Sequence, residues 1–396
     1  MKTAFYLNVV SPHQLPLARE IVRRIGEGNF KYVYAEDFLA DRKALGWDSG
    51  DVPTWCVKGN ENAPSLTEAD QVFTGIRCLE LMAKRAAQKK KTVYYSERWF
   101  KPWMGMLRLL KPSYFKMARR WVSLLRNSDF VSYLPMGIHA ARDMARLCGL
   151  FAGDLRCLFR APRLDFEKKP GGRIFSRAER VERAEDAKIT RKYCLDKMRM
   201  WGYYVEPSRF DALPVQEADD TPAVCRVLWV GRLLNLKRMD AIVRAVGEHA
   251  NLKRVDDSLP KITLDIYGTG PEENRLKKMA AEYGDAIKFH LPVPIAEVRR
   301  LMREHDVYVL ASNGYEGWGA VVSEALEEGM KVIGTYEAGS SATMLPESCL
   351  FHAGDWRRLS RLLAQCAEEK QRGALEGQGI GEWTAKFAAS QLTLRN

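Results

Sequence analysis

No apolar stretch of this sequence is long enough for a membrane-spanning helix, which requires roughly 18–20 residues. The first residues, MKTAFYLNVVSPHQ, contain a short apolar run without a cleavage-site pattern, which is typical of a buried strand and not of a signal peptide. The sequence also lacks low-complexity tracts and internal repeats. From these absences we expect a protein that is made and kept in the cytoplasm.

Cysteine pairs and metal-ligand patterns are missing as well. The eight cysteines are scattered and include no C-x-x-C pair, which argues against a zinc ribbon or a disulfide scaffold and for a reducing compartment. There is no Asp-x-Asp, and no group of His, Cys and carboxylate residues has the spacing of metal ligands. We therefore expect a protein that requires no metal and no other cofactor.

Basic residues outnumber acidic ones by 62 to 50 and give a formal net charge of +12. This excess favours an anionic partner, which could be a membrane surface, a nucleic acid or a phosphorylated substrate. A basic protein without such a partner explains the charge alone equally well. The placement of the charges along the chain has to decide between these interpretations.

The 396 residues suffice for two domains, and their 46% apolar content describes a folded protein. Strand-like and helix-like segments alternate in both halves, which predicts two doubly wound α/β domains with parallel sheets. The segments that interrupt this alternation are a long connection from Asp37 to Pro64 and a polar loop with some helix from Phe166 to Lys192. A strand is predicted from Trp201 to Ser208. The predicted organisation is a domain over 1–212, a linker over 213–221, a domain over 222–375, and a C-terminal segment over 376–396 that contains a short amphipathic helix.

One stretch in the second half, Asn313 to Met330, combines the features of a ligand site. A buried-strand pattern, DVYVLASN, leads into it, and Gly317-Trp318-Gly319 predicts a turn that opens into a helix. Free backbone N–H groups at a helix start, here around Gly319 to Val321, attract anions. The carboxylates of Glu316 and Glu324 flank this point, so each could bind hydroxyl groups at one end of a ligand whose phosphates rest on the helix. A nucleotide sugar has this shape.

These residues resemble the E-x(7)-E signature of the retaining glycosyltransferases of family four, which have the two-domain GT-B fold. The family pattern, E-G-F-G-L-x-x-x-E-A followed by G-x-P-V-I, is similar to Glu316 to Ala320, then Glu324-Ala325, then Gly329 to Ile333. The resemblance implies two Rossmann-like domains with the active site in the cleft between them, and a last helix that crosses back to the first domain. The alternative for the motif by itself is an ordinary strand–turn–helix unit with two solvated glutamates.

The resemblance also implies how a nucleoside-diphosphate sugar is held. In the family, an Arg and a Lys at the spacing of Arg232 and Lys237 grip the donor diphosphate, where fixed cations can stabilise the charge of the leaving group. Glu316 is expected to contact the sugar hydroxyls, and Glu324 the ribose. The catalytic candidates are Glu316, Arg232 and Lys237, and the donor-binding candidates are Gly231, Gly268, Thr269, Gly270, Gly317, Trp318, Gly319, Ala320, Val321 and Glu324.

Some segments fit the family less well. Leu291 to Pro294 stand where the family usually has a small residue near the base, so recognition of the base stays open. The loop from Ser11 to Pro16 lacks the paired glycines that the family often carries near the diphosphate, and that contact is not transferred. Gly268-Thr269-Gly270 is explained by an ordinary tight turn as well as by a donor contact.

Four side chains in the first half are candidates for the acceptor side of the site. His13 follows the first strand, Glu97 and Arg98 end another strand, and His139 follows Pro135-Met136-Gly137. Each of them could face the cleft that the resemblance implies. A capping, surface or structural role is the alternative for each.

Basic residues are dense between Lys84 and Arg126, where they alternate with Trp, Phe and Tyr. Such an amphipathic stretch suits an anionic membrane interface, and many GT-B enzymes reach lipid-linked acceptors in this way. The alternative is a pair of core-packed helices with solvated basic faces. Nucleic-acid binding ranks last, because the sequence has no recognised nucleic-acid motif.

The resemblance and the charge together predict a metal-independent, retaining glycosyltransferase that moves a hexose-type sugar from a nucleotide sugar to a hydroxyl acceptor. The expected acceptor is a glycan on a lipid carrier or a lipopolysaccharide core, at the cytoplasmic face of an anionic membrane. Three alternatives stay open: a GT-B sugar-nucleotide epimerase, a non-catalytic nucleotide-sugar binder, and a glycosyltransferase that modifies nucleic acid.

Overall fold

A computed structural model of the chain describes residues 1–37, 52–102, 104–176, 183–207 and 224–393. The linker predicted over 213–221 lies outside these residues. The chain divides into two compact units. The first unit comprises Met1–Val205 and Glu382–Asn396, and the second comprises Glu206–Gly381.

The first unit is built on a parallel sheet of six strands in the order β3-β2-β1-β4-β5-β6. The central strand β1 is buried along its whole length, because its residues are mostly apolar and helices cover both faces of such a sheet. The strands are β1 (Thr3–Leu7), β2 (Phe30–Tyr34), β3 (Cys56–Lys58), β4 (Gln71–Thr74), β5 (Lys91–Ser96) and β6 (Val131–Pro135). The helices are α1 (Leu15–Ile25), α2 (Pro64–Glu68), α3 (Leu79–Ala87), α4 (Pro112–Asn127), α5 (Ile138–Phe151) and α6 (Arg183–Tyr193).

Two connections of the first unit contain strands that the sequence pattern did not predict. The stretch between Asp37 and Pro64 includes β3, which pairs in parallel with β2. The polar stretch between Phe166 and Lys192 begins at the end of β7 (Leu164–Phe166), which forms an antiparallel hairpin with β8 (Ile174–Ser176). Most of α6 also lies within this stretch. These strands are only three residues long, too short to show an alternating apolar pattern.

The strand predicted from Trp201 to Ser208 is wrong over its described residues. Trp201 forms a single bridge with Met136, and residues 202–207 are not in a strand. The backbone N–H of Tyr204 donates to the carbonyl of His13 (3.2 Å), and the rings of Trp201 and Tyr204 pack edge to face. The aromatic residues that suggested a strand are therefore core residues on a chain that hydrogen-bonds to a loop.

The second unit contains a parallel sheet in the order β11-β10-β9-β12-β13-β14. Its strands are β9 (Val224–Val230), β10 (Lys261–Tyr267), β11 (Ile287–His290), β12 (Val307–Leu310), β13 (Lys331–Thr335) and β14 (Leu350–Phe351). Its helices are α7 (Met239–Val255), α8 (Glu273–Ala280), α9 (Ile295–Glu304), α10 (Val321–Glu327), α11 (Gly339–Met344) and α12 (Trp356–Gln371). The two parallel sheets confirm the predicted α/β fold class.

Alternate residues of β9 enter two separate cores, one on each face of the sheet. Val227 and Trp229 pack with residues of α7 and α12 on one face, whereas Leu228 packs with Tyr308 on the other. Each fully buried aliphatic side chain contributes about 1.5–3 kcal/mol, so both faces hold this strand in place. The ends of β9 are consequently rigid points from which loop residues can be positioned.

The last helix, α13 (Ala385–Thr393), belongs to the first unit. It packs against α1, and its residues Ala388 and Ala389 are fully buried. The guanidinium of Arg24 donates to the carbonyl of Lys386 (3.1 Å).

The basic aromatic segment between Lys84 and Arg126 places most of its large rings in the core. Trp99, Phe100 and Trp121 are buried, whereas Phe115 is 39% exposed, and Trp103 lies outside the described residues. The outer face of α4 carries exposed basic residues. Around Trp99, Phe100 and Trp121 the aromatic residues therefore pack in the core, while the basic residues form a solvated face.

A buried carboxylate lies behind this segment. Asp143, in α5, accepts a hydrogen bond from the backbone N–H of Phe100 (2.9 Å) and lies 3.7 Å from the guanidinium of Arg98. Burial has the largest effect and raises the pKa of Asp143 to about 6, although Arg98 and the N–H group act in the opposite direction.

This pKa predicts a pH-dependent stability that Asp143→Asn removes. Because the folded pKa lies above the unfolded one, the stability from the neutral carboxyl is present below the unfolded pKa and is lost as pH rises through about 6. The free energy of unfolding of the wild type should fall relative to the variant by roughly 1–3 kcal/mol between about pH 4 and about pH 7, measured by urea denaturation. Asp129→Asn is the control, because the hydrogen bond from Lys197 lowers the pKa of Asp129. The charged Asp129 carboxylate therefore stabilises the folded state more as pH rises, which is the opposite of Asp143. Parallel curves for wild type and Asp143→Asn would contradict the assignment.

Candidate functional site

The candidate site lies in the second unit, where the chain leaves the C-terminal ends of β9, β10 and β12. Parallel α/β sheets bind their ligands at this edge, because the loops and helix starts that follow the strands converge there. All the donor-side residues predicted from the sequence follow one of these three strands.

The turns after β9 and β10 are in direct backbone contact. The N–H of Gly231 donates to the carbonyl of Tyr267 (3.0 Å). A Cβ atom at Gly268 would lie 1.9 Å from the carbonyl oxygen of Gly231, and one at Gly270 would lie 2.5 Å from that of Leu233. Both positions require glycine, since the backbone of the neighbouring turn occupies the space that a side chain would take.

Arg232 and Lys237 both follow β9, but their surroundings differ. Arg232 is exposed, and its guanidinium makes no hydrogen bond or ion pair with another described residue. The ammonium of Lys237 donates to Oε2 of Glu316 (2.5 Å), and the hydroxyl of Ser312 donates to the same oxygen (2.9 Å). The ion pair therefore joins the segment after β9 to the loop after β12.

The turn that contains Gly317, Trp318 and Gly319 packs tightly against α11. Gly319 has φ of 88°, and a Cβ atom there would lie 2.8 Å from a methyl carbon of Leu310. The hydroxyl of Ser340 donates to the carbonyl of Gly319 (2.9 Å). The backbone N–H of Ser340 donates to the carbonyl of Trp318 (2.9 Å). The indole of Trp318 is 1% exposed. Its side chain packs in the core, and the donor contact of Trp318 stays a prediction that only its backbone could make.

Glu324 lies in the first turn of α10, which begins directly after Ala320. Tyr308 of β12, which the sequence analysis did not single out, is influenced by the charges of both Glu324 and Glu316. Burial raises the pKa of the Tyr308 phenol, and the charges of Glu324 and Glu316 raise it further. Both carboxylates of the motif thus act on one buried phenol, whose hydroxyl donates to the carbonyl of Val230 at the end of β9 (3.3 Å).

A second polar group adjoins the glycine turn and was also missed. Asp265 of β10 contacts Nε2 of His290 (2.6 Å) and Nε2 of His305 (3.4 Å). Burial raises the pKa of Asp265, but hydrogen bonds from His305 and His290 outweigh it, so the pKa lies below its ordinary value. The His290 ring stacks on Tyr267 with centroids 4.3 Å apart. The sequence shows only that Tyr267 ends β10 and His290 ends β11. It does not show that Asp265 contacts His290 or His305.

The first-half candidates are placed by three strands of the first unit. Glu97 and Arg98 follow β5, and His139 lies in the first turn of α5 after β6; these strands are neighbours, with Ser96 opposite Pro135. The guanidinium of Arg98 lies 3.7 Å from the carboxylate of Asp143, and its contact with an acceptor stays a prediction. His13 follows β1, and β4 separates that strand from β5.

Within the described ranges, no group of three or more His, Cys, Asp or Glu side chains is arranged to hold a metal ion. None of the helices that the structure describes is long and apolar enough to cross a membrane.

Comparison with known protein families gives a match to the model described as glycosyl transferases group 1, over residues 218–375. Among characterised proteins, the GtfA subunit of a UDP-N-acetylglucosamine–peptide N-acetylglucosaminyltransferase from Streptococcus pneumoniae is 32% identical over 108 residues, 27% of this chain and 20% of that protein. The lipopolysaccharide core biosynthesis glycosyltransferase LpsE from Rhizobium meliloti is 25% identical over 178 residues, 44% of this chain and 49% of that protein. The chain thus spans a fifth to a half of the length of these relatives, and the matches support a glycosyltransferase.

Solved structures similar to the whole chain identify the fold. HepE of Anabaena, determined in complex with UDP, covers 99% of this chain and 95% of its own, with a TM-score of 0.55 and 16% identity. The lipopolysaccharide outer core galactosyltransferase WaaB covers 99% of both chains, with a TM-score of 0.55 and 15% identity. The predicted GT-B fold, with two Rossmann-like domains, is confirmed.

The contact between the glycine turns predicts that Gly268→Ala destabilises the second unit. The added methyl group would overlap the carbonyl of Gly231, so the turn after β10 has to move away from the turn after β9. We expect the free energy of unfolding to fall by about 1–3 kcal/mol, measured by chemical denaturation. Gly379→Ala is the matched control, since nothing lies within 4 Å of a Cβ atom there. Equal stability of the two variants would show that the turns are not in contact.

Proposed function

We propose that the chain is a retaining glycosyltransferase that moves a hexose-type sugar from a nucleoside-diphosphate sugar to a hydroxyl group of a lipid-linked or surface glycan. The observation that carries this proposal is the meeting of Lys237 and Glu316 within the segment that matches the glycosyltransferase family model. A cation suited to phosphate and a carboxylate suited to sugar hydroxyls lie side by side where this fold binds its ligands. We place the reaction at the cytoplasmic face of a membrane.

Arg232 and Lys237 would hold the diphosphate. The exposed guanidinium of Arg232 has no partner among the described residues, so it can form two parallel hydrogen bonds with a phosphate group. Lys237 can bind a phosphate while it keeps Glu316, because an ammonium has three N–H donors. Negative charge grows on the diphosphate as the glycosidic bond breaks, and both cations stabilise that charge in the transition state.

The two glutamates would hold the sugars of the donor. Lys237 and Ser312 both contact Oε2 of Glu316, so its Oε1 can accept a hydrogen bond from a hydroxyl of the transferred sugar. Glu324 would accept hydrogen bonds from the ribose. The backbone of Gly319, Ala320 and Val321 would approach the phosphates, with the glycine turn of Gly268 to Gly270 beside them.

We propose that the transfer proceeds with retention and without a metal ion. The acceptor oxygen bonds to the anomeric carbon on the face from which the diphosphate departs, and the departing phosphate oxygen takes the acceptor proton. Arg232 and Lys237 supply the positive charge that a divalent cation supplies in other transferases. His13, Glu97 and His139 are the candidates for contact with the acceptor, whereas Arg98 would position its neighbours through Asp143.

The names of similar proteins support the choice of substrates. HepE was determined with UDP, and the name of the streptococcal relatives includes UDP-N-acetylglucosamine. LpsE is named for the synthesis of lipopolysaccharide core. We therefore propose UDP as the nucleotide and a cell-surface glycan as the acceptor.

Removal of the Arg232 guanidinium should weaken donor binding. A charged hydrogen bond contributes about 1.5–3 kcal/mol, so Arg232→Ala should raise the Kd for UDP by at least about tenfold. Isothermal titration calorimetry in the presence of a chelator measures this effect and tests the metal-free site. Arg226→Ala is the control, because Arg226 is exposed at the opposite end of β9. The site is refuted if both variants bind equally, or if UDP, GDP and ADP all fail to bind.

Glu316→Gln should separate catalysis from nucleotide binding. Loss of the carboxylate should lower the rate of sugar transfer, or of donor hydrolysis, by about 100-fold, with UDP affinity nearly unchanged. Glu337→Gln, at the end of the neighbouring strand β13, is the matched control. Turnover of the donor to another nucleotide sugar without an acceptor would indicate the epimerase instead. Nucleotide binding with no turnover in the wild type would indicate a binding protein.

A further inference from the structure

The first unit contains a basic cavity outside the elements that carry the candidate site. Its volume is about 680 Å³, and it lies between the segment that follows α5, the end of β8, and α6. Among the residues that the structure describes, five basic side chains line it, against one carboxylate, that of Asp154.

Asp154 organises one wall of this cavity. Its carboxylate receives two hydrogen bonds from the guanidinium of Arg156 (2.9 Å each), one from the hydroxyl of Tyr193 (3.0 Å), and an ion pair from Lys192 (2.7 Å). The carboxylate is 4% exposed, so its charge is satisfied from within the protein. Arg156 and Lys192 are thereby held in place and neutralised in part.

The other three cations of the cavity have no such partner. Arg160, Arg163 and Lys188 are exposed, and their side chains make no hydrogen bond or ion pair with any other residue that the structure describes. Three cations that no described side chain neutralises, around one concave surface, attract a multiply charged anion such as a phosphate ester.

Large exposed apolar side chains precede Arg160 in the chain. Phe159 is 89% exposed, Leu155 is 66% exposed and Leu158 is 39% exposed. They alternate in sequence with Arg156 and Arg160, so apolar and cationic groups lie on the same short segment. A soluble phosphate would leave the apolar groups in water, whereas a lipid bilayer buries them next to its charged headgroups.

We propose that this surface, Asp154 to Arg163 together with Lys188 and Lys192, docks on a membrane and binds the phosphate headgroup of an anionic lipid. Phe159, Leu155 and Leu158 insert among the acyl chains, and Arg160, Arg163 and Lys188 contact the phosphate. The surface goes beyond the proposed transfer reaction and does not depend on it. The segment between Lys84 and Arg126 buries its rings Trp99, Phe100 and Trp121 but exposes Leu107, Leu110 and Phe115, so its basic residues are tested separately below.

The test is sedimentation of the full chain with vesicles of phosphatidylcholine, with or without phosphatidylglycerol. The wild type should bind the anionic vesicles and not the neutral ones. Each basic residue near an anionic surface is worth roughly fivefold in partitioning, so the triple variant Arg160→Gln, Arg163→Gln, Lys188→Gln should bind about 100-fold more weakly. Phe159→Ser should weaken binding also at high salt, because the apolar contribution is not screened.

Two matched triple variants decide where the effect arises. Lys261→Gln, Lys278→Gln, Lys288→Gln removes the same charge from exposed positions of the second unit and should bind like the wild type. Lys111→Gln, Lys116→Gln, Arg119→Gln removes it from the exposed face of α4 and should also keep most of the binding.

Equal losses in all three triple variants would mean that only the net charge matters and would overturn the proposal. A loss confined to the α4 variant would overturn it in favour of the α4 face. Full inhibition of vesicle binding by inositol hexakisphosphate, with Phe159→Ser unchanged, would show a site for a soluble phosphate instead of a membrane. UDP affinity should be the same in every variant, so failure of this proposal is distinguishable from failure of the proposed transferase.

Discussion

The contact between two glycine turns determines where the candidate site can form. Because no Cβ atom fits between Gly268 and the carbonyl of Gly231, the ends of β9 and β10 share one continuous backbone surface. The loop after β12 is tied to the same place, since the N–H of Asn313 donates to the carbonyl of Leu236 (2.9 Å). Arg232, Lys237 and Glu316 therefore owe their positions to backbone hydrogen bonds and not to the attraction between their charges.

The Lys237–Glu316 ion pair is better explained by ligand binding than by stability. Its side chains are 21% and 15% exposed, so both charges give up part of their hydration and recover little net free energy from one another. A pair of this kind is useful where a ligand supplies further partners to each member. A phosphate next to Lys237 and a sugar hydroxyl next to Glu316 would complete the coordination that the protein leaves open. The short segments around the pair hold both groups in place before the ligand arrives.

The parallel sheets and the position of the E-x(7)-E stretch could be predicted, because each depends on residues that are close in sequence. Apolar runs indicated the strands, and the glycines around Trp318 indicated the turn. The contacts that complete the site could not be predicted in this way. Asp265 meets His290 and His305 across 25 and 40 residues, and their pairing depends on the register of neighbouring strands. The strand predicted at Trp201 to Tyr204 was wrong for a related reason. Its aromatic pattern is the same for a strand and for a loop that is buried in the core.

The basic residues behind the net charge of +12 fall into two groups. Some are bound by acceptors inside the protein, and others are exposed and can bind a partner. Arg85 is fully buried, and its guanidinium donates to the carbonyls of Leu66, Ala69 and Lys91, so it stabilises the first unit and contributes nothing to recognition. Arg126 is similarly used, since it donates to the carbonyl of Cys148 (2.7 Å). An anionic partner is bound most strongly by cations that internal acceptors leave wholly or partly unsatisfied. Arg232 beside the glycine turns meets that condition, as does the cluster of Arg160, Arg163 and Lys188, and the two places suit different anions. A single exposed guanidinium near Lys237 in the chain matches one diphosphate, whereas three cations, one of which directly follows exposed apolar residues in the chain, match the surface of an anionic bilayer.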